Sequence, residues 1–181
     1  SDFVKRCLGL IPDSIYCFEA NPAISEGAKE FYPNYNIYNL AVSNKDTDIE
    51  LHVVPNGDNN SGISTLIGYD HTNGWNTVRV QCVRMDSWLM NHPEVKAIDF
   101  LKIDVEGLGF EALEGFGKYI NMVKCIQIEG ELVNLYEKHS FKDIAMFLYE
   151  HNFEMVDYDG EGCQNDSLWV RRDLLNVLPI M

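Results

Sequence analysis

The chain has 181 residues, 46% of them hydrophobic and 23% charged, which is typical of one globular domain with a sizeable core. Acidic residues outnumber basic ones by 28 to 14, and the net charge of −14 disfavours non-specific binding to nucleic acid or anionic lipid. No apolar stretch approaches the length of a membrane span, and five scattered cysteines without a CxxC pair predict free thiols in a reducing compartment, the cytoplasm.

Two short strands and a helix are predicted at the start of the chain. The segment SIYCFEA (14–20) is rich in β-forming residues and stops at the turn signal Asn21-Pro22. ISEGAKEFY (24–32) then predicts a helix, and YNIYNLAV (35–42) predicts a second strand. This strand–helix–strand order is the usual unit of a parallel sheet.

Two longer segments follow in which polar and apolar residues alternate. TDIELHVV (47–54) and TVRVQCVRM (77–85) have a period of two, which is typical of half-exposed strands, and we expect them to pair in antiparallel fashion. They could also offer a free edge through which two copies of the chain associate as a homo-oligomer. Residues 55–74 are rich in Gly, Asn and Asp and predict a long loop between these strands.

The second half of the chain alternates strands and helices. AIDFLKI (97–103) is almost continuously apolar, which is typical of a strand buried on both faces of a parallel sheet. Ser140 and Asp143 have the spacing of a capping box at the start of a helix. The other predicted elements are a short helix from Asp86 to His92, a helix over 110–119, a strand over 123–129, helices over 131–139 and 141–151, and strands over 153–159 and 167–172.

This order of elements predicts a single α/β domain over residues 1–181, with helices on both faces of its sheet. Ligands of such sheets bind beyond the carboxyl ends of the strands. Three predicted strands end there on a carboxylate, at Glu19, Asp104 and Glu129. A turn or a helix cap explains each carboxylate singly, but three at one edge predict a binding site.

Several motifs follow one another between Ile15 and Arg172: IYCFEANP, NLAVSNKDTDIELHV, NSGISTL, RMDSWL, FLKIDVEGLGFEALEG, IQIEGE and NDSLWVRR. In order and spacing they resemble the motifs of FkbM-type methyltransferases, class I enzymes that use S-adenosylmethionine (SAM) to methylate hydroxyl oxygens of sugars, polyketides or other small metabolites. The resemblance implies a Rossmann-like three-layer sandwich, with a mostly parallel sheet and an antiparallel C-terminal strand. It also implies SAM as cofactor and a small-molecule or glycan hydroxyl as acceptor.

Matching motifs imply a role for each candidate residue. Glu19 would bind the ribose hydroxyls of SAM, and Asn21 would shape that turn. Asp104 would lie nearest the positively charged sulfonium, which a carboxylate favours. Glu106 and Glu129 would face the acceptor, whose hydroxyl one of them orients or deprotonates. The residues that would border the adenine are Ala41, Val42 and Ser43.

The resemblance further implies a first strand and a Gly-rich turn ahead of Phe3. That strand would lie between the strands that end in Glu19 and Asp104. Without it the sheet would have two open edges inside it, so we expect the sequence to be N-terminally incomplete relative to the natural protein. Gly109 also stands where the family usually has an acidic residue.

Other functions stay open on the sequence. A methyltransferase-like fold that only binds a partner or glycan is the main alternative, and a NAD-dependent or nucleotide-sugar enzyme would need the same Gly-rich turn. Asp104, Glu106 and Glu129 offer oxygen ligands for Mg²⁺ or Ca²⁺, but their spacing does not require a metal and none is predicted. The acceptor side has three further candidates, and a helix end or loop packing explains each of them more simply: His71, Trp75 and His139.

Overall fold

The computed structural model describes residues 14–53, 64–65, 75–131, 139–161 and 164–175. The strands of these residues are β1 (Tyr16–Phe18), β2 (Asn36–Tyr38), β3 (Ala41–Val42), β4 (Thr47–Val53), β5 (Ser64–Thr65), β6 (Asn76–Val83), β7 (Ile98–Ile103), β8 (Val123–Glu131), β9 (Phe153–Glu161) and β10 (Gln164–Arg171). The helices are α1 (Pro22–Phe31), α2 (Met85–Met90), α3 (Gly109–Gly115), α4 (Phe141–Glu150) and α5 (Arg172–Leu175), with a 3-10 helix at Gly117–Met122. A mixed α/β fold is therefore confirmed.

The described strands form three small sheets of mixed direction, with the orders β1-β2, β3-β6-β4-β5 and β7-β8-β10-β9. The pairs β1–β2, β3–β6 and β7–β8 are parallel, whereas β8–β10, β9–β10, β4–β5 and β4–β6 are antiparallel. The antiparallel C-terminal strand is present, but a mostly parallel sheet is not confirmed. Within the described residues β1 and β7 each keep one unpaired edge, which leaves the parallel pairs in separate sheets.

The predicted strand over 35–42 is split into β2 and β3, which belong to different sheets. Asn39 lies at the break, and its side-chain amide donates hydrogen bonds to the carbonyls of Glu19 (2.9 Å) and Ala20 (3.0 Å). This side chain ties the end of β1 to the break and interrupts a strand that the sequence presents as continuous.

The alternating segments form the predicted antiparallel pair, with Leu51 of β4 opposite Val78 of β6. Leu51, Val80 and Cys82 are buried together with Ala41 in a small core on one face of this sheet. The edge expected at 77–85 is only partly covered within the described residues, because β3 pairs with only the last two residues of β6, Cys82 and Val83. The predicted loop contains β5, which pairs with the end of β4, and its other residues from 55 to 74 lie outside the described part of the chain.

The main core joins β7, β8 and β10 to helices α2, α3 and α4. Trp169 is fully buried in it, and its indole N–H donates to the Ser167 hydroxyl at 2.8 Å, so the polar end of the ring keeps a partner. Trp88 is also buried. Further fully buried members are Leu113, Phe116, Ile120, Ile126, Ile128, Leu148 and Phe153.

Helix boundaries differ from the predictions where local hydrogen bonds decide them. The second helix begins at Met85, one residue before the expected start at Asp86, and ends at Met90. The helix expected over 110–119 stops at Gly115 and continues as a 3-10 helix from Gly117, whose φ of 49° is left-handed. The capping box is confirmed at the start of α4. Residues 132–138 of the other expected helix lie outside the described part of the chain, and β8 extends to Glu131.

No helix in the described part of the chain is long and apolar enough to cross a membrane.

Candidate functional site

Asp104 and Glu129 lie at the same level of two neighbouring parallel strands. Asp104 follows the end of β7, whereas Glu129 is still inside β8, which continues two residues beyond its predicted end, to Glu131. Ile103 of β7 is paired with Ile128 of β8, so the next residues, Asp104 and Glu129, lie side by side at the carboxyl end of β7. Glu106 joins them from the loop after β7. One carboxylate oxygen from each of the three residues lies within 4.8 Å of the others. We call these three residues the carboxyl pocket.

The turn after β7 folds Glu106 back toward its neighbours. Glu106 has a φ of 45°, and Gly107 has a φ of 90°. The left-handed region suits glycine, but it costs an L-residue such as glutamate roughly 1 kcal/mol. A costly backbone conformation is therefore present where it adds a third carboxylate to the carboxyl pocket.

The three carboxyl groups lie too close together for all of them to be ionised easily. Burial, the charges of Asp104 and Glu106, and a hydrogen bond with Asp104 raise the pKa of Glu129 to about 7. Two carboxyl groups that share a hydrogen bond need a proton between them, and the raised pKa of Glu129 makes Glu129 the group that holds it. Lys102 offers a partial counter-charge, since its Nζ lies 2.8 Å from an Asp104 oxygen.

Aromatic side chains flank the carboxylates. An open cavity beside them is lined by Glu106, Glu129, Phe110 and His139, whereas Asp104 is not part of its lining. The His139 ring stacks on Phe110 with 4.0 Å between ring centroids and 22° between ring planes. Among the described residues its ring nitrogens have no hydrogen-bond partner, so they can contact a bound molecule. The structure therefore brings His139 to the pocket, while Trp75 lies half-buried before β6 and His71 lies outside the described residues.

Glu19 is not a member of the carboxyl pocket. It follows β1, and its Oε1 accepts a hydrogen bond from the backbone N–H of Asn21 at 2.7 Å. Burial raises the pKa of Glu19, and the hydrogen bond from Asn21 opposes that shift. The Asn21 side chain in turn accepts from the N–H of Ala23 at 3.0 Å and caps α1. Asn21 thus shapes the turn that presents Glu19.

The segment Ala41–Ser43 lies at the carboxyl end of β3. Ala41 and Ser43 are buried, Val42 is half-buried, and the Ser43 N–H donates to the carbonyl of Val83 at 3.1 Å. Only Val42 and the backbone of this segment can therefore border a ligand. Glu19 does not belong to the group of three carboxylates, so the structure brings together the Asp104, Glu106 and Glu129 part of the expected acidic site.

The family model described as Methyltransferase FkbM domain matches residues 4–155, well over half of the chain. The chain belongs to the FkbM methyltransferase family. Comparison with curated proteins and with solved structures finds no match. All of the FkbM site residues expected from the sequence fall inside the matched range, as does His139.

Methyltransferases of this kind generally use SAM, and the chemistry of the carboxyl pocket fits that group. A cluster of crowded carboxylates with one partial counter-charge attracts a positively charged group such as a sulfonium. The same three oxygens also have the spacing of a cation site, but exposed acidic groups are common without one. Nothing else in the described residues points to a metal ion.

Two residues of this site were missed by the sequence analysis. Lys102 lies two residues before Asp104 on β7, so the period of two along a strand would have placed both on one face. Phe110 begins the helical run after the glycines and was interpreted only as part of a helix. Its stacking on His139 depends on the placement of α4, which no local pattern contains.

Proposed function

We propose that this FkbM methyltransferase uses SAM to methylate a hydroxyl oxygen of a small metabolite or glycan. The observation that carries the proposal is that Asp104 and Glu129 lie side by side on adjacent parallel strands, at the carboxyl end of β7, with Glu106 folded back onto them. Ligands of parallel sheets bind at this edge, and the family match gives the class of reaction.

On the donor side, SAM supplies an electrophilic methyl group on a positively charged sulfur. Asp104 stabilises that charge, and Lys102 orients the Asp104 carboxylate by donating a hydrogen bond to it. Glu19 binds the ribose hydroxyls through its remaining carboxylate oxygen, because Oε1 already accepts the Asn21 N–H. The segment Ala41–Ser43 borders the adenine.

On the acceptor side, Glu129 takes the proton of the attacking hydroxyl. A general base works best when its pKa is close to the working pH, and the pKa of Glu129 is raised to about 7. Glu106 orients the hydroxyl from the facing side of the carboxyl pocket. Methyl transfer otherwise depends mainly on alignment, which the end of β7 and the adjoining part of β8 supply.

The proposal also covers the fold, the cellular location and the association of the chain. We place these elements in a single Rossmann-like domain over residues 1–181, a three-layer sandwich with a mostly parallel sheet. The free thiols of Cys17, Cys82 and Cys125 support the cytoplasm as its location. As part of this proposal, two copies of the chain would associate through the strand edges that the described sheets leave open.

Titration calorimetry of the full-length protein with SAM and with its demethylated product S-adenosylhomocysteine (SAH) tests the proposal. Asp104→Asn should weaken SAM binding about tenfold and SAH binding much less, because only SAM carries the positive charge. Asp99→Asn is the matched control, since Asp99 is an exposed partner of Lys124 (2.5 Å) at the opposite end of β7. Absence of heat and of any Tm shift with both ligands would contradict the proposal.

A non-catalytic binding module is the second candidate, and Gly109 favours it. A Cβ at Gly109 would lie 3.3 Å from Ile128 Cδ1 and 3.4 Å from the Glu129 carbonyl, so this chain packs closely where the family usually has an acidic side chain. Asp104→Asn separates the two candidates. An enzyme with that change loses methyl transfer, whereas a binding module keeps its partner.

A further inference from the structure

The turn after β3 is held on one side by α3. The Asn44 side-chain amide donates to a carboxylate oxygen of Glu114 at 2.9 Å, and both side chains are partly buried. One residue further along α3, a Cβ on Gly115 would lie only 2.3 Å from the carbonyl oxygen of Ser43. Helix and turn are therefore in direct backbone contact at Gly115, and the Asn44–Glu114 hydrogen bond fixes them laterally.

The start of α2 holds the same turn from another side. The Arg84 guanidinium donates to the Asn44 carbonyl at 2.9 Å and makes a two-pronged contact with Asp86, at 2.9 and 2.6 Å. The backbone N–H of Arg84 donates to Asp46 at 2.8 Å. Charge-assisted bonds of this kind are roughly twice as strong as neutral ones. We call Asn44, Arg84, Asp86 and Glu114 the Ser43 clamp.

Helix α3 connects the Ser43 clamp with the carboxyl pocket. Its first residue, Gly109, lines the pocket beside Glu106 and Glu129, and its last residue, Gly115, contacts Ser43. At a rise of about 1.5 Å per residue, roughly 9 Å of helix axis lies between these two contacts. A rigid helix thus sets the distance from the carboxylates to the segment Ala41–Ser43.

We propose that Asn44 and Glu114 are positioning residues, whose hydrogen bond holds the segment Ala41–Ser43 where it borders the adenosine part of SAM. The inference rests on the proposed function, since the segment has this role only in a chain that binds SAM. SAM and SAH carry the same adenosine, so a displaced segment weakens both equally. The carboxyl pocket, in contrast, acts mainly on the positive charge that only SAM has.

A swap of the two side chains tests this inference in the full-length protein. Asn44→Asp sets a carboxylate against Glu114 and should lower the affinity for SAM and for SAH by about tenfold each. The double variant Asn44→Asp/Glu114→Gln restores an amide–carboxylate hydrogen bond with donor and acceptor exchanged. Its affinities should return to within about twofold of the wild type, a rescue that a general loss of packing would not show.

The control is Glu154→Gln, which removes the partner of Arg172 (3.0 Å) at the start of β9 and should change neither affinity. Val170 of β10 is paired with Glu154 on one side and with Cys125 of β8 on the other. Glu154 therefore lies at the level of Cys125, four residues before Glu129 along β8. If Asn44→Asp does not fold, Glu114→Gln alone carries the test. It leaves a weaker neutral pair and should cost about threefold with both ligands.

Calorimetry and thermal melts then separate the outcomes. Equal losses with both ligands, an unchanged ratio of SAM to SAH affinity and rescue by the swap support the inference. Unchanged affinities, a loss without rescue or a loss confined to SAM would overturn it and leave the proposed function standing. A wild-type protein that binds neither SAM nor SAH would overturn both.

Discussion

The Ser43 clamp and the carboxyl pocket lie at opposite ends of α3 and treat their carboxylates in opposite ways. In the clamp, every acidic side chain has a donor: Asp86 binds the Arg84 guanidinium, and Glu114 accepts from Asn44. The hydrogen bond from Arg84 holds the pKa of Asp86 below its ordinary value. Asp86 therefore contributes stability that is present above its unfolded pKa and is lost as the pH falls.

In the carboxyl pocket, Asp104, Glu106 and Glu129 face one another, and the pKa of Glu129 rises to about 7, with burial as the largest cause. The pH dependence of stability has the opposite sign here. The native state holds a proton that the unfolded chain releases, so stability falls as the pH rises. The clamp thus stabilises the fold, whereas the pocket destabilises it. Adverse charge kept at a strand edge is typical of a site that binds a ligand.

Gly115→Ala should have the largest effect, because it breaks the clamp. The added Cβ would lie 2.3 Å from a backbone oxygen of Ser43, which cannot rotate away. We expect a loss of about 3 kcal/mol in the free energy of unfolding, seen as a Tm lower by roughly 6–12 °C.

Gly27→Ala is the matched control, since a Cβ there meets nothing within 4 Å and Gly27 lies inside α1. It should stabilise the protein by about 0.5–1 kcal/mol through the higher helix propensity of alanine. Equal effects of the two glycine substitutions would contradict the direct contact between α3 and the turn.

Glu129→Gln tests whether the proton on Glu129 makes the stability of the carboxyl pocket depend on pH. The ordinary pKa of Glu129 is 4.5 and its native value is about 7, so between these values the native state binds more protons than the unfolded chain. Wild-type stability therefore decreases over this range relative to the neutral glutamine. We expect equal melting temperatures near pH 5 and a variant that melts a few degrees higher near pH 8.

Thermal melts across pH 5–8 measure this difference, and Glu154→Gln serves as the surface control with a flat difference. SAM binding by the same variant should also lose its dependence on pH. A Tm difference that is the same at both ends of the range would show that Glu129 does not hold the proton.

Local patterns predicted most of the helices and strands, and tertiary contacts explain where they did not. The alternation in 47–54 and 77–85 matches β4 and β6 to within about two residues at each end, because a period of two is written into the segment itself. The break at Asn39 was missed, because its amide binds carbonyls of Glu19 and Ala20, about 20 residues earlier in the chain. No window around Asn39 contains those partners.

The same distinction holds for the site. Parallel pairing aligns neighbouring strand ends, so the approach of Asp104 to Glu129 could be predicted once both strands had been recognised. The contact of Asn44 with Glu114 joins side chains 70 residues apart and required the placement of α3. His139 was only one candidate among several, and its stacking on Phe110 is what brings it to the carboxyl pocket.

Substitutions of Glu106 should have the smallest effect, and they test whether the left-handed turn of the carboxyl pocket is a cost to stability. Glu106→Asn and Glu106→Ala both remove the carboxylate, but asparagine tolerates the left-handed φ of 45° better than alanine does. We expect the asparagine variant to be more stable by about 0.5 kcal/mol in denaturant unfolding, with equal loss of acceptor methylation in both. Equal stability of the two variants would mean that the turn relaxes once the carboxylate is gone. The left-handed conformation would then be a consequence of the charge cluster, and not a cost that the backbone bears to complete it.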